Sequence, residues 1–149
     1  MLALALALAL LGATPAQAVL GEDVASVQAD QLRLSAVRRM NRTLDAEVQV
    51  LTLADGSSIR QYLTPSGRVY AVAWNTRSKP RLDQLLGAHF ADYAAGGRLA
   101  MQRRAGVHHQ AVVEQGELVV ESSAHLNAHV GRAWLRSLLP SAAARDAIR

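Results

Sequence analysis

Four side chains in the middle of the chain, Arg60, Tyr62, Tyr70 and Trp74, bring together three aromatic rings and one guanidinium. Gathered on one face of a sheet, they would form a rigid aromatic platform with a cation, suited to stacking on a sugar ring, a peptide or a lipid headgroup. Aromatic residues and arginine are also the usual anchors of protein interfaces. The alternative is that a helix covers this face and the rings are core, which their large buried area would explain. Histidines are the second set of candidates. His125 and His129 have the i,i+4 spacing that places two imidazoles on one side of a helix, but the segment reads equally as strand and no third ligand accompanies them. No metal and no cofactor are therefore expected. His108 and His109 would point to opposite faces of a strand, and His89 shares a stripe with Leu82, Leu86 and Tyr93, the position of a core-edge histidine satisfied by one hydrogen bond. Glu114 and Glu117 are expected side by side at the mouth of a hairpin, where two exposed carboxylates stay ionised and do not separate into an acid and a base. The chain has no G-x-S-x-G elbow, no phosphate-binding G-x-x-x-x-G-K, no H-E-x-x-H and no cysteine nucleophile. Its Ser, His and Asp residues show no spacing that suggests a triad, although a triad is defined by geometry and not by sequence order.

The elements that must position these groups follow from periodicity. Residues 23–41 lack Gly and Pro and carry Val24, Val27, Leu32, Leu34, Val37 and Met40 among polar positions, which predicts a loosely amphipathic helix. From Ala46 to Trp74 the period changes to two, with turn signals at Asp55-Gly56 and Pro65-Ser66-Gly67, and a three-stranded antiparallel meander is expected. A two-residue Asp-Gly turn would set Leu51 opposite Arg60 and Gln49 opposite Tyr62. The second turn would set Leu63 opposite Val69, Tyr62 opposite Tyr70 and Ser58 opposite Trp74. One face then collects Val48, Val50, Thr52, Ile59, Leu63, Val69, Ala71 and Ala73, and the other Leu51, Leu53, Arg60, Tyr62, Tyr70, Val72 and Trp74. A second helix is expected from an N-cap at Ser78, with Pro80 and Asp83 in its first turn, to a stop at Gly96-Gly97. A basic segment to Arg104 leads into a hairpin turning at Gln115-Gly116. The stretch from His125 to Leu139 reads as strand or short helix, and the Ala/Arg-rich end after Pro140 reads as frayed. Runs of strands set apart from helices indicate an α+β fold on antiparallel sheet.

Composition and the amino-terminal segment bear on compartment. The chain of 149 residues has no cysteine, so stability rests on apolar burial and backbone pairing. Its formal charge of +4 comes almost entirely from arginine, since Lys79 is the only lysine, and the accompanying abundance of Ala, Leu and Gly reads first as codon composition and second as a basic surface. Arginines cluster at Arg33, Arg38, Arg39 and Arg42 and at Arg98, Arg103 and Arg104, against acids at Glu114, Glu117 and Glu121. Residues 1–18 read as a secretory signal peptide. The Leu/Ala run from Leu2 to Leu11 matches an h-region of roughly 7–15 residues, too short to span a bilayer, and Ala16-Gln17-Ala18 is a small-x-small cleavage site. Cleavage at Ala18/Val19 would leave 19–149 as one domain, periplasmic or secreted, without a stable transmembrane segment and without nucleic acid among its partners. No Lys or Arg precedes the run, so the start of translation is expected upstream of Met1.

Several stretches resemble a known family: Thr52-Leu53-Ala54-Asp55-Gly56, Ile59-Arg60-Gln61-Tyr62, Pro65-x-Gly67, Val69-Tyr70-Ala71-Val72-Ala73-Trp74, Leu85-Leu86-Gly87, Val112-Val113-Glu114-Gln115, Leu118-Val119-Val120 and Gly131-Arg132-Ala133-Trp134 to Leu139-Pro140. Their spacing is similar to that of the proteobacterial exported family catalogued as domain of unknown function 2844. The resemblance implies a signal peptide and a Leu-Gly start, here Leu20-Gly21, but no activity, substrate or catalytic residue. His89 stands where the family pattern has an aromatic, and His129 where it has an apolar residue. The reading that follows is a non-enzymatic exported module that binds a protein or envelope component through Arg60, Tyr62, Tyr70 and Trp74. Two alternatives stand beside it: a small hydrolase-like envelope enzyme using histidine and carboxylate, and a membrane-tethered assembly accessory.

Overall fold

The computed structural model of the protein describes residues 20–42, 46–103 and 110–149. The leader and its cleavage site, together with His108, His109 and Arg104, lie outside them. Within the described residues one seven-stranded, wholly antiparallel sheet runs in the order β1-β2-β3-β4-β7-β6-β5. Its strands are β1 (Val37–Arg42), β2 (Glu47–Thr52), β3 (Ser58–Leu63), β4 (Val69–Thr76), β5 (Gln110–Gln115), β6 (Leu118–His125) and β7 (Ala128–Leu135). Helices α1 (Val24–Arg33), α2 (Leu82–Leu86) and α3 (Phe90–Arg103) precede β1 or connect β4 to β5, and α4 (Ala142–Ala147) follows β7. The α+β class expected from the pattern is correct; the expected meander and second hairpin are joined, with β1 and β7, in one sheet of seven strands, and strands hold more of the described residues than helices do.

The expected first helix is in fact a helix and a strand. Asp23 caps α1 by accepting the Ala25 N–H at 2.9 Å, and the helix ends at Arg33. Ser35 then takes a left-handed φ of +48°, a conformation that neither Gly nor Pro announces, and Val37–Arg42 pairs with β2. The N-terminal segment is tied in as well. The Leu20 N–H donates to the Leu85 carbonyl at 3.3 Å, the Gly21 N–H donates to Val69 at 2.8 Å, and the Leu20 side chain is buried.

Two local features correct the expected strand register. The Asp55-Gly56 connection is one residue longer than a two-residue turn: the Leu53 N–H donates to the Ser57 carbonyl at 2.9 Å, Gly56 sits at φ +83°, and Asp55 accepts the Ser57 N–H at 2.8 Å. This three-residue loop with a left-handed third position pairs Leu51 with Ile59 and Val48 with Tyr62. At the second turn Leu63 does pair with Val69, but the register shifts beyond it, so that Tyr62 opposes Ala71 and Ile59 opposes Trp74. Tyr70 is the extra residue of a β-bulge, which leaves Tyr70 and Ala71 on one face and returns Val72 and Trp74 to the other.

The two faces are consequently sorted differently from the expectation. Leu51, Ile59, Leu63, Val69, Val72, Trp74, Val113, Leu118 and Val120 form the core beneath α1, α2 and α3, together with Leu20 and Val27. Tyr62, Tyr70, Ala71, Ala73, Val119 and Trp134 form a second core on the opposite face, closed by Ala144 and Ile148 from α4 and its end. The carboxy-terminal segment is therefore docked and not frayed. Ser141 accepts the Ala144 N–H at 3.2 Å, and Arg132 donates to the Arg145 and Ile148 carbonyls at 3.2 and 3.1 Å. Ser78 does not cap α2. Its carbonyl accepts from the Thr76 hydroxyl at 2.7 Å, and the helix starts at Leu82. Gly96-Gly97 does not end α3, which runs through both. Gly96 lets the helix lie close to the sheet: a Cβ there would stand 2.6 Å from Val113 Cγ1.

Candidate functional site

The structure does not assemble the expected aromatic platform. Tyr62, Tyr70 and Trp74 are 5, 1 and 3% exposed, and the bulge puts Trp74 on the face opposite the two tyrosines. Tyr62 and Tyr70 do meet, with ring centroids 6.1 Å apart, beneath α4. Arg60 and Tyr62 also act together, but on the chain's own end. Arg60 donates to the Arg149 carbonyl at 2.8 Å, and the Tyr62 hydroxyl donates to that carbonyl at 3.0 Å and accepts the Arg149 N–H at 2.9 Å. These residues hold the carboxy-terminal segment and present no open ring face.

The other sequence candidates are likewise redistributed. His125 and His129 flank the turn between β6 and β7, where Asn127 adopts φ +59°, so no helix places their imidazoles together. Among the described residues no group of three His, Asp or Glu side chains converges as a metal site. His89 is half-buried, with Nδ1 3.8 Å from an Asp92 carboxylate oxygen. Glu114 and Glu117 are not a pair: Glu114 forms an ion pair with Arg136, and Glu117 accepts the Ser137 N–H at 2.9 Å. Hydrogen bonding by Ser137, from its side chain first and its N–H second, holds the Glu117 carboxyl below the usual range.

A cleft that the sequence did not announce opens on the helical face at the β5–β7 end. Strand register puts Trp74, Gly131, Ser122 and Ala111 in one cross-strand row. Three of the four are small. The neighbouring row, Val72, Ala133, Val120 and Val113, carries two further valines on β6 and β5 and is buried. Where side chains are short, the helices above cannot close the gap, and a cavity of about 460 Å³ remains between the sheet and the segment bearing Lys79, Leu82 and Tyr93. Its volume lies in the range of small-molecule sites, roughly 300–1,000 Å³. Gly131 fixes the position of the indole. A Cβ at Gly131 would stand 2.3 Å from Trp74 Cζ2 and 2.7 Å from the Glu121 carbonyl oxygen, so Trp74 can lie across this strand only because the residue is glycine.

The lining defines a ligand chemistry. Tyr93 supplies aromatic surface beside the edge of the nearly buried Trp74 indole, Ser122 a hydroxyl, Lys79 an exposed ammonium at the rim, and His129 a half-buried imidazole. Burial raises the Tyr93 phenol above its ordinary value, so it enters any contact as a neutral donor. No described carboxylate lines the cleft. The cleft can therefore hold a flat or apolar body and direct an anionic or acceptor group toward Lys79 and His129. On the opposite face a groove of about 440 Å³ runs past Val112, Val130 and Arg132. There Arg132 is engaged by Glu121 at 2.7 Å, by two backbone carbonyls and by the Trp134 ring at 5.4 Å, and Arg149 lines the same groove.

Of the four residues expected to form the platform, only Trp74 lines this cleft, on the face of Leu51 and Val72 and parted from the two tyrosines expected beside it, and His129 joins it without His125. Lys79 and Ser122 were not among the candidates, Tyr93 was read only as part of a helix stripe, and His129 only as a candidate metal ligand. The available signal was the small-residue row, which becomes visible only once the register of β4, β7, β6 and β5 is known. No curated protein and no solved structure matches the chain. A family model described as "protein of unknown function (DUF2844)" matches residues 16–148, and the chain belongs to that family.

Proposed function

We propose that the chain is an exported, non-enzymatic binding module, periplasmic or secreted after cleavage at Ala18/Val19, and that it binds a small ligand in the cleft lined by Trp74 and Tyr93. The export reading draws its support from the Leu/Ala run and the small-x-small tripeptide. The binding reading draws its support from one observation above all: Tyr93 and the edge of the Trp74 indole meet a lysine and a histidine around a cavity of ligand size with no described carboxylate in its lining. A compact organic anion with an aromatic or sugar ring fits that set of groups.

The test uses the protein recovered from an exporting cell, whose mass should place Val19 at its amino terminus. Its intrinsic fluorescence and ligand-observed NMR are then followed against indole-3-acetate, a uronic acid and their uncharged counterparts. Binding should favour the acids, fall about tenfold in Lys79→Ala, equivalent to about 1.4 kcal/mol, and be lost in Tyr93→Ala. An intact Met1 would overturn the export reading, and an unchanged titration in both variants would overturn the site.

A second reading, a hydrolase-like enzyme, has one contact in its favour: Ser123 Oγ lies 3.3 Å from His125 Nε2, within reach of a nucleophile and its base. Both side chains sit at the outer end of β6, where the nucleophile is open to water. Ester hydrolysis abolished by Ser123→Ala would favour this reading over simple binding.

A further inference from the structure

The first edge strand of the sheet is built to be extended. β1 lies at one end of the strand order and no described strand pairs with its outer side, so its outward N–H and C=O groups form a ready template for another chain. Both of its faces are open. Alternation sends Val37, Arg39 and Asn41 toward the α4 side and Arg38, Met40 and Arg42 toward the side of α1, with Val37 63% and Met40 56% exposed. The charge is one-sided: β1 carries Arg38, Arg39 and Arg42, and the adjoining β2 carries Glu47 alone. Glu47 is taken by Arg42 at 3.0 Å. Neither Arg38 nor Arg39 has an ion-pair partner among the described residues.

We propose that β1 is a docking edge for an acidic, extended polypeptide segment of another protein, which adds an antiparallel eighth strand to the sheet. Backbone pairing gives such a segment its register, the exposed Val37 and Met40 offer apolar contact on either face, and its carboxylates meet Arg38, Arg39 and Arg42. A second copy of this chain is the poorer occupant. Pairing β1 with β1 doubles the arginines along one ribbon, and like charges on neighbouring strands oppose pairing. The edge is separate from the cleft. Three strands stand between β1 and β7, a span of ~19 Å at ~4.8 Å per strand, so the proposal does not depend on the ligand-binding reading.

The experiment titrates the mature protein with the peptide Glu-Val-Val-Glu-Glu-Val, capped at both ends, which sets a glutamate against each β1 arginine in antiparallel register. Its counterpart Lys-Val-Val-Lys-Lys-Val serves as control, and amide hydrogen exchange locates the bound strand. The acidic peptide should slow exchange in β1 and weaken steeply with salt, and the lysine peptide should bind at least tenfold more weakly. Arg39→Glu, at an exposed site, should lose tenfold in affinity while fluorescence of the cleft is unchanged, and Met40→Ala should lose a smaller factor. The proposal is overturned if both peptides bind equally or if protection falls on β5. It is equally overturned if β1 is already protected by self-association, or if phosphatidylglycerol vesicles capture the protein through the same arginines and the peptide does not.

Discussion

At one edge of the sheet α3 lies across β5, with Gly96 against Val113, and at the other β1 stands with Val37 and Met40 in water. The β5 end is held by packing: Val113, Leu118 and Val120 are all buried beneath the helical layer. The β1 end is held to β2 by its backbone ladder and, among described side chains, by the Arg42–Glu47 pair. Contacts of the first kind are dispersive and insensitive to salt, whereas the second kind is electrostatic and exposed. One protein thus finishes the two ends of its sheet in two ways, by packing a helix on the face of one and charging the other. A charged edge resists chance pairing with neutral strands and stays open to a partner of opposite charge.

The largest test of this contrast is paired truncation. Leu118→Ala removes a fully buried side chain and should cost about 2–5 kcal/mol in urea unfolding, whereas Val37→Ala on β1 should stay within about 0.5 kcal/mol. Comparable costs would mean that β1 is covered in solution. A smaller effect is expected at the helix-covered edge. Gly96→Ala forces a methyl to 2.6 Å from Val113 Cγ1, an overpacking cost of about 1–3 kcal/mol against the roughly 1 kcal/mol that alanine contributes to a helix interior. Net stabilisation would show that α3 does not press on β5. The smallest effect belongs to the β1 ion pair. The Arg42 hydrogen bond, followed by that of Gln49, holds the Glu47 carboxyl below its ordinary value. The stabilisation from this pair is therefore complete above the ordinary carboxylate range and is lost as pH falls through the lowered value. Exposed pairs of this kind contribute about 0.2–1 kcal/mol. Hydrogen exchange in β1 should quicken by a small factor on acidification and on adding salt, exchange in β5 should not change, and Glu47→Gln should remove both responses.

How much of this was legible depended on what each residue signals locally. The Pro65-Ser66-Gly67 and Gln115-Gly116 turns stand where expected because glycine marks a left-handed position by its own chemistry, at φ +81° in Gly67 and +55° in Gly116. The α+β class and the family were readable for the same reason, since they rest on turns and alternation. The break between α1 and β1 was not readable, because Ser35 carries the left-handed angle with no mark in its residue type, and Val37 and Met40 keep a spacing that suits a helix. The bulge at Tyr70 was equally silent, and it put Trp74 and the two tyrosines on opposite faces. Residues of the cleft were out of reach for a further reason: Tyr93, Lys79 and His129 are brought together by the pairing of β4 with β7, across more than fifty positions, and no local pattern encodes that neighbourhood. The carboxy-terminal segment misled through composition. Its Ala/Arg content reads as solvent-exposed, yet Ala144 and Ile148 seal the tyrosine face.

The sealed position of Leu20 sets an order of events. On the export reading the scissile bond, Ala18–Val19, lies only one residue before a side chain packed into the core and a backbone bonded to Leu85 and Val69. A peptidase works on accessible, extended backbone, and a finished fold offers it too little on the mature side of that bond. If the leader is cleaved there, its removal would precede closure of the fold around Leu20. On the same reading, a molecule that closed early would keep its leader.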